Sequence, residues 1–234
     1  MLKVENINKI FGNLNVIDKL TFDVNKGEIV VIIGPSGCGK TTILNIISGL
    51  QAPSSGKIIF DDDIVINIGY AFQKSVLLPW LTLKKNIFLP FKLKDKEVDN
   101  SIIENYNFLM KEVNLLDYEN YYPKEVSGGM KARSVLVRNL LFAPQLILMD
   151  EPFSSLDEIS RVKTQNLFKK MLEKFETSVV FVTHSIEEAL NIGDRLIILS
   201  NKPAKILYEI QLDSKSKSDL VKRQSIKDKI LELL

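Results

Sequence analysis

One cysteine, one histidine and one tryptophan stand in a chain of 234 residues. Cys38 has no second thiol to pair with, so no internal disulfide forms, and a reducing compartment such as the cytoplasm is expected. Charge of one sign is also lacking: 31 Lys+Arg stand against 29 Asp+Glu, a formal net charge of +2. Such balance gives no electrostatic basis for wrapping nucleic acid or for an acidic disordered tail, and no nucleic-acid partner is expected. Apolar runs are short. Ile29-Val30-Val31-Ile32-Ile33 falls far below the roughly 18–20 residues that span a bilayer. The opening Met-Leu-Lys-Val-Glu-Asn has no apolar stretch behind its basic residue, so no export signal is expected. Internal repeats and low-complexity linkers are absent. What is present, 45% hydrophobic and 26% charged residues, supports the core of one medium domain with two subdomains at most.

Periodicity divides the chain. Leu2–Ile7, Leu20–Val24 and Glu28–Ile33 read as strands, and Gly39–Leu50 as a helix with Ile43, Leu44, Ile46 and Ile47 on one face. Lys57–Phe60 and Ile68–Phe72 read as strands on either side of the acidic turn Asp61-Asp62-Asp63. From about 74 to 142 helical periods dominate, in Val98–Leu116 and Gly129–Leu141, which marks a candidate helical subdomain. Strands then return at Leu146–Met149, Ser178–Thr183 and Leu196–Leu199, separated by helices Ser160–Lys174 and Ile186–Leu190. Strands alternating with helices imply a parallel sheet with crossover helices. Residues 1–212 are expected to form one domain, and 213–234 a Lys- and Ser-rich tail whose Ile226, Ile230 and Leu233 spacing suits a small amphipathic helix.

Gly34-Pro35-Ser36-Gly37-Cys38-Gly39-Lys40-Thr41, followed by Thr42, matches G-x-x-x-x-G-K-[ST] at every fixed position, between a buried strand and a helix. Such a loop curls its N–H groups around phosphate oxygens, and the helix N-terminus adds roughly half a positive charge at the same spot. Lys40 is placed to meet the β- and γ-phosphates, and Thr41 offers its hydroxyl to Mg²⁺. Cys38 reads as a small residue that fits the loop. The ligand class is a nucleoside triphosphate. Kinases, GTPases, motors and transport ATPases all share this loop.

Two carboxylates narrow the choice. Leu146-Ile147-Leu148-Met149-Asp150-Glu151 is a buried strand ending in adjacent acids, at the sheet edge where ligands sit in open α/β folds. Neighbours on a strand face opposite ways, so the two acids are expected to do different work. Asp150 suits Mg²⁺, directly or through water, and Glu151 suits polarising the water that attacks the γ-phosphate. The pair favours hydrolysis. His184 follows the strand Ser178–Thr183; a lone histidine is commonly an ordinary loop residue, but at a strand end its neutral ring can reach both the γ-phosphate and the attacking water.

Ser127-Gly128-Gly129-Met130 ahead of a helix is by itself a weak turn signal. Lying between the phosphate loop and Asp150, it makes the chain resemble the nucleotide-binding subunit of an ATP-binding-cassette (ABC) transporter, from residue 1 to about 210. The resemblance implies an α/β fold, a P-loop NTPase core with a mixed, mainly parallel sheet, an N-terminal antiparallel β subdomain and an inserted α-helical subdomain. It implies that Phe11 stacks on adenine, although the alternative is an ordinary core phenylalanine. It further implies that Gln73 reaches the Mg²⁺ and the attacking water, while Ser127, Gly128 and Gly129 contact the γ-phosphate of ATP held by the opposite subunit. Ser155-Leu156-Asp157 resembles the loop linking two ATP sites. A homodimer with two ATP molecules at its interface, closing on ATP and opening on hydrolysis, is the expected cycle.

Leu77-Leu78-Pro79-Trp80-Leu81-Thr82, then Asn86 and Glu151-Pro152-Phe153, resemble the bacterial importers for nitrate, sulfonates, taurine and the thiamine pyrimidine precursor. The implied partners are transmembrane permease subunits, met near Trp80 unless that ring packs internally, and indirectly an extracytoplasmic solute-binding protein. The implied place is the cytoplasmic face of the membrane, bound peripherally. An appended regulatory domain is not expected in a chain of this length. Four departures stand out: a short span from Gly56 to Gln73, Val126 before Ser127, Ala132 in place of a polar residue, and Ser185 in place of an acid after the histidine. A soluble, non-transport cassette ATPase and a nucleotide-sensing module without turnover are the alternatives.

Overall fold

The computed structural model describes residues 1–60, 67–73, 76–142, 144–154, 156–213 and 219–234. The acidic turn Asp61-Asp62-Asp63 and Ser155 therefore lie outside the described residues. The chain divides into two compact units: one holds the described residues within Met1–Ile66, Leu148–Glu151 and Ser178–Leu234, the other those within Asn67–Ile147 and Pro152–Thr177.

In the first unit, β1 (Leu2–Phe11) pairs antiparallel with β2 (Leu14–Val24) on one edge and with β4 (Ser55–Phe60) on the other. Both long strands exceed the expected Leu2–Ile7 and Leu20–Val24. Register shifts between Val4 and Ile10 carry the pairing through Asn8 and Lys9, where the alternation of the sequence breaks. The buried face of this sheet is Leu2, Val4, Ile7, Ile17, Leu20 and Phe22.

The second sheet of this unit is built around β3 (Ile29–Ile33), every residue of which is buried. Both edges of β3 are paired in parallel, to β7 (Ser178–Thr183) and to β8 (Arg195–Leu199). Continuous apolar strands suit that position, because a central parallel strand has no solvated face. The end of β6 (Leu146–Asp150) follows β7, and β9 (Ile206–Gln211) closes the other edge antiparallel to β8. The helices α1 (Lys40–Ile47), α7 (Ile186–Ile192) and α8 (Leu220–Leu233) belong to the same unit. Arg195 binds the two sheets together at their ends. Its guanidinium reaches Glu28 at 2.8 and 3.2 Å, Glu209 at 3.1 Å, and the carbonyl oxygen of Asp23 at 2.5 Å.

The second unit is mainly helical: α2 (Leu83–Ile87), α3 (Leu89–Leu93), α4 (Asn100–Glu112), α5 (Gly128–Leu141) and α6 (Glu158–Phe175), with β5 (Ile68–Ala71). The helix expected over Val98–Leu116 stops at Glu112; Asp99 caps its start by accepting from the Ile102 N–H, and Asn114 at φ 53° turns the chain away. Buried Asn86 holds the Leu78–Thr82 loop through Leu78, Leu81 and Thr82 carbonyls at 3.0–3.1 Å.

Gly56 shows how closely β4 meets β1. Its φ is +88°, and a Cβ there would sit 2.3 Å from the Asn6 carbonyl oxygen. Backbone does not yield to that overlap. Gly56→Ala is expected to lower unfolding stability by about 2 kcal/mol or more, read as a lower urea midpoint; an unchanged midpoint would refute the stated packing.

Candidate active site

The buried end of β3 delivers Gly34, and the loop to Lys40 turns directly into α1. Gly39 takes φ 121°, a conformation L-residues avoid, and a Cβ there would stand 3.0 Å from Val16 Cγ1. No side chain caps α1, so its first N–H groups are left for a ligand rather than for a serine or aspartate. Pro35 accepts from the Cys38 N–H at 3.3 Å, while Ser36 and Gly37 are exposed at the tip and Thr42 is half-buried on the helix. Cys38 packs inward at 2% exposure, and burial pushes its thiol up, away from reactive thiolate.

Lys40 is buried to 7% exposure, and its ammonium donates to the carbonyl oxygens of Gly34 at 2.7 Å and Pro35 at 2.9 Å. The hydrogen bonds that hold it run to the loop's own main chain. Beside it, Thr41 donates its hydroxyl to Asp150 Oδ2 at 2.8 Å. Burial pushes the Asp150 carboxyl up; the Thr41 bond opposes, the Glu151 charge adds, and the Lys40 charge opposes. A hydroxyl beside a partly desolvated carboxylate is a hard-oxygen donor pair of the kind Mg²⁺ takes, so the residues present fit the expected ion.

Glu151 departs from its expected geometry in an instructive way. It lies beyond β6 and takes φ 44°, the left-handed region. Strand alternation therefore does not aim it. The turn does, secured by its N–H donating to the Val182 carbonyl at 3.1 Å. The result sets Glu151 Oε1 3.0 Å from His184 Nδ1. His184 leaves the end of β7 with its side chain 61% exposed, whereas Glu151 is 16% exposed. The lone histidine is thus paired with an acid at a strand end.

The first unit therefore gathers Gly34 to Thr42, Asp150, Glu151 and His184. Phe11 closes β1 in the same unit at 42% exposure, with Lys9 Nζ 4.8 Å from its ring centroid, so it is not a core phenylalanine. Gln73 is exposed in the second unit, after β5. Ser127 caps α5 there by accepting from the Met130 N–H at 3.2 Å, with Gly128 open to solvent and Gly129 3.5 Å, at its would-be Cβ, from Leu156. Ala132, at the position where the resemblance implies a polar residue, is buried at 4%. Trp80 is 69% exposed, so it does not pack internally within its unit. Thr183 and Glu188 are not anticipated by the sequence reading. Their buried pairing has no signal in Val-Thr-His-Ser-Ile-Glu-Glu, where a glutamate on a helix reads as solvated.

A buried parallel strand, an uncapped helix behind a glycine loop, a buried lysine at the start of that helix and an acid-ended strand two places along the same sheet define a P-loop nucleotide-binding protein. A sequence model described as "ABC transporter" matches residues 17–154. The chain is 37% identical to an aliphatic sulfonates import ATP-binding protein, SsuB, of Bacillus cereus, across 99% of this chain and 94% of that one. It is 36% identical to the taurine import ATP-binding protein TauB of Jannaschia sp. (strain CCS1), across 90% and 82%. Among solved structures, the dimeric post-hydrolysis state of the ATP-binding cassette MJ0796 bound to ADP and Pi superposes with a TM-score of 0.77 at 31% identity, covering 92% of this chain and all of that one. The chain belongs to the ABC transporter family.

The strained electrostatics of Asp150 have a measurable sign. A carboxyl whose pKa is raised by folding is best tolerated protonated and opposes folding once ionised. Asp150→Asn is expected to raise the melting temperature at pH 7, with the gain shrinking as the pH falls toward the ordinary 3.8. Melting curves of the nucleotide-free protein check it; a lower melting temperature at pH 7 would contradict the argument.

Proposed function

We propose that this chain is the ATP-hydrolysing subunit of a membrane importer for a small solute, of the sulfonate and taurine kind that its relatives are named for. The chain is an ATP hydrolase of the ABC type. The observation that carries the reading is the pairing of Glu151 with His184 at adjoining strand ends in the same unit as the Lys40 loop and the Thr41–Asp150 pair.

The residues divide the work. The loop Gly34–Thr42 binds the phosphates through its N–H groups and Lys40, and Phe11 stacks on the adenine ring. Thr41 and Asp150 would hold Mg²⁺, with Gln73 taking the part the resemblance implies, and the ion would supply neutralisation of phosphate charge. Glu151 takes a proton from the attacking water. His184, held by that acid, contacts the γ-phosphate and keeps the water oriented. Ser127, Gly128 and Gly129 supply a second anion site at the start of α5 to the ATP of an opposite copy, so ATP joins a homodimer and hydrolysis releases it. Support for the dimer comes from the dimeric cassette structure at 31% identity.

The cassette is read as 1–212 with a tail at 213–234. No helix among the described residues is long and apolar enough to cross a membrane. The subunit is read as peripheral, on the cytoplasmic face, docked to permease subunits near the exposed Trp80, with a solute-binding protein acting through the permease.

Glu151→Gln is expected to retain ATP-dependent dimerisation while turnover falls by about 10²–10⁴-fold; near wild-type phosphate release would overturn the role of Glu151. Purification from native membranes in mild detergent is expected to bring down a multi-span permease. Recovery with ribosomal or DNA-repair proteins instead would leave the hydrolysis standing and replace transport by the soluble-ATPase reading.

A further inference from the structure

His184 lies between the last residue of β7 and the N-cap residue of α7, and both neighbours hydrogen-bond to a single buried residue, Glu188. Thr183, the last residue of β7, is 1% exposed; its hydroxyl donates to Glu188 Oε2 at 2.5 Å. The same Thr183 oxygen accepts from the Ser185 N–H at 3.0 Å. Ser185 caps α7, its hydroxyl accepting from the Glu188 N–H at 3.3 Å. Glu188 is itself 5% exposed, on a helix packed against β3 and β7. Residues 183, 185 and 188 thus form a closed hydrogen-bonded ring with His184 spanning its open side. Outside the ring, the exposed imidazole has its Glu151 bond at 3.0 Å.

We propose that Thr183 and Glu188 are positioning residues for His184. Their ring fixes the main chain on both sides of the histidine, so the imidazole is presented to Glu151 and to the reacting phosphate in one orientation. The proposal rests on the reading of His184 and Glu151 given above. Its physical basis is leverage. A side chain 61% exposed has little packing of its own, so its direction is inherited from the backbone that carries it. A short hydrogen bond between two buried side chains is suited to hold that backbone. Loss of the hydroxyl frees residues 183–185 to move, and displacements of about 1 Å at a reacting group are worth up to 10²-fold in rate.

The test is kinetic, on the full chain with Mg²⁺ and ATP. Thr183→Val, which keeps the shape and removes the hydroxyl, is expected to lower kcat about tenfold with KM for ATP nearly unchanged. Thr183→Ser, which restores the hydroxyl, is expected to recover most of the rate. Ser185→Ala, milder because the Ser185 N–H still reaches Thr183, is expected to cost about threefold and serves if the valine variant fails to fold. Each loss should vanish in a His184→Ala background, as a double-mutant cycle requires of residues that act through one another. Equal losses with and without His184, or full activity of both Thr183→Val and Ser185→Ala beside a slow His184→Ala, would overturn the proposal. Full activity of His184→Ala itself would instead overturn the reading of the histidine.

Discussion

Parallel pairing along both edges of β3 is the constraint on which the rest depends. Ile29–Ile33 are matched to β7 and Val30–Ile33 to β8 in continuous register, and all five residues are buried, leaving no solvated face. A strand fixed this way cannot tilt or slide, so the point at which Gly34 leaves the sheet is fixed too. The loop needs no stiffness of its own. Neighbouring strands β6 and β7 end on the same side of the same sheet, and each delivers two side chains, one at its last residue and one just beyond: Asp150 and Glu151 from one, Thr183 and His184 from the other. The alignment of these groups is a property of the ladder, and the loops only turn the corner.

Turning the corner is where local conformation takes over. Asp150 is aimed by the strand, since it is still part of β6, and its carboxylate accepts from the Thr41 hydroxyl. Glu151 is aimed by a left-handed turn at φ 44°. Two adjacent acids thereby acquire different surroundings, one pressed into low dielectric and the other facing a histidine. Divergent environments are what allow one residue type to serve two chemical roles within a single site.

Much of this is legible in the amino-acid order because local rules and global fold agree there. The apolar run before Gly34, the helix period after Lys40 and the acid-ended strand at Leu146–Asp150 each have one satisfactory reading, and the sheet that joins them follows from strands alternating with helices. Three features resist. The edge strand β9, with Leu207 and Tyr208 exposed, lacks the alternation of a half-buried strand and is defined only by its partner β8. The length of β1 and β2 is hidden by register shifts that change which residues face inward. Glu188 is buried with its carboxylate accepting from the Thr183 hydroxyl across a turn, and periodicity carries no information about a specific side-chain partner. In the tail the expected helix forms with Ile230 of its apolar spacing buried, but the ion pairs of Arg223 and Lys227 with Glu187 on α7 are contacts no helical spacing specifies.

The ammonium of Lys40 is already satisfied by the carbonyl oxygens of Gly34 and Pro35. An arriving anion does not meet an empty positive charge; it has to draw the cation away from two oxygens that hold it well. Binding is therefore an exchange with a threshold. A charged phosphate oxygen is a stronger acceptor than a carbonyl, and a polyphosphate brings several of them to the lysine and to the α1 N–H groups together. What the loop offers an incoming anion is thus an exchange of partners at one ammonium, made together with the uncapped N–H groups of α1.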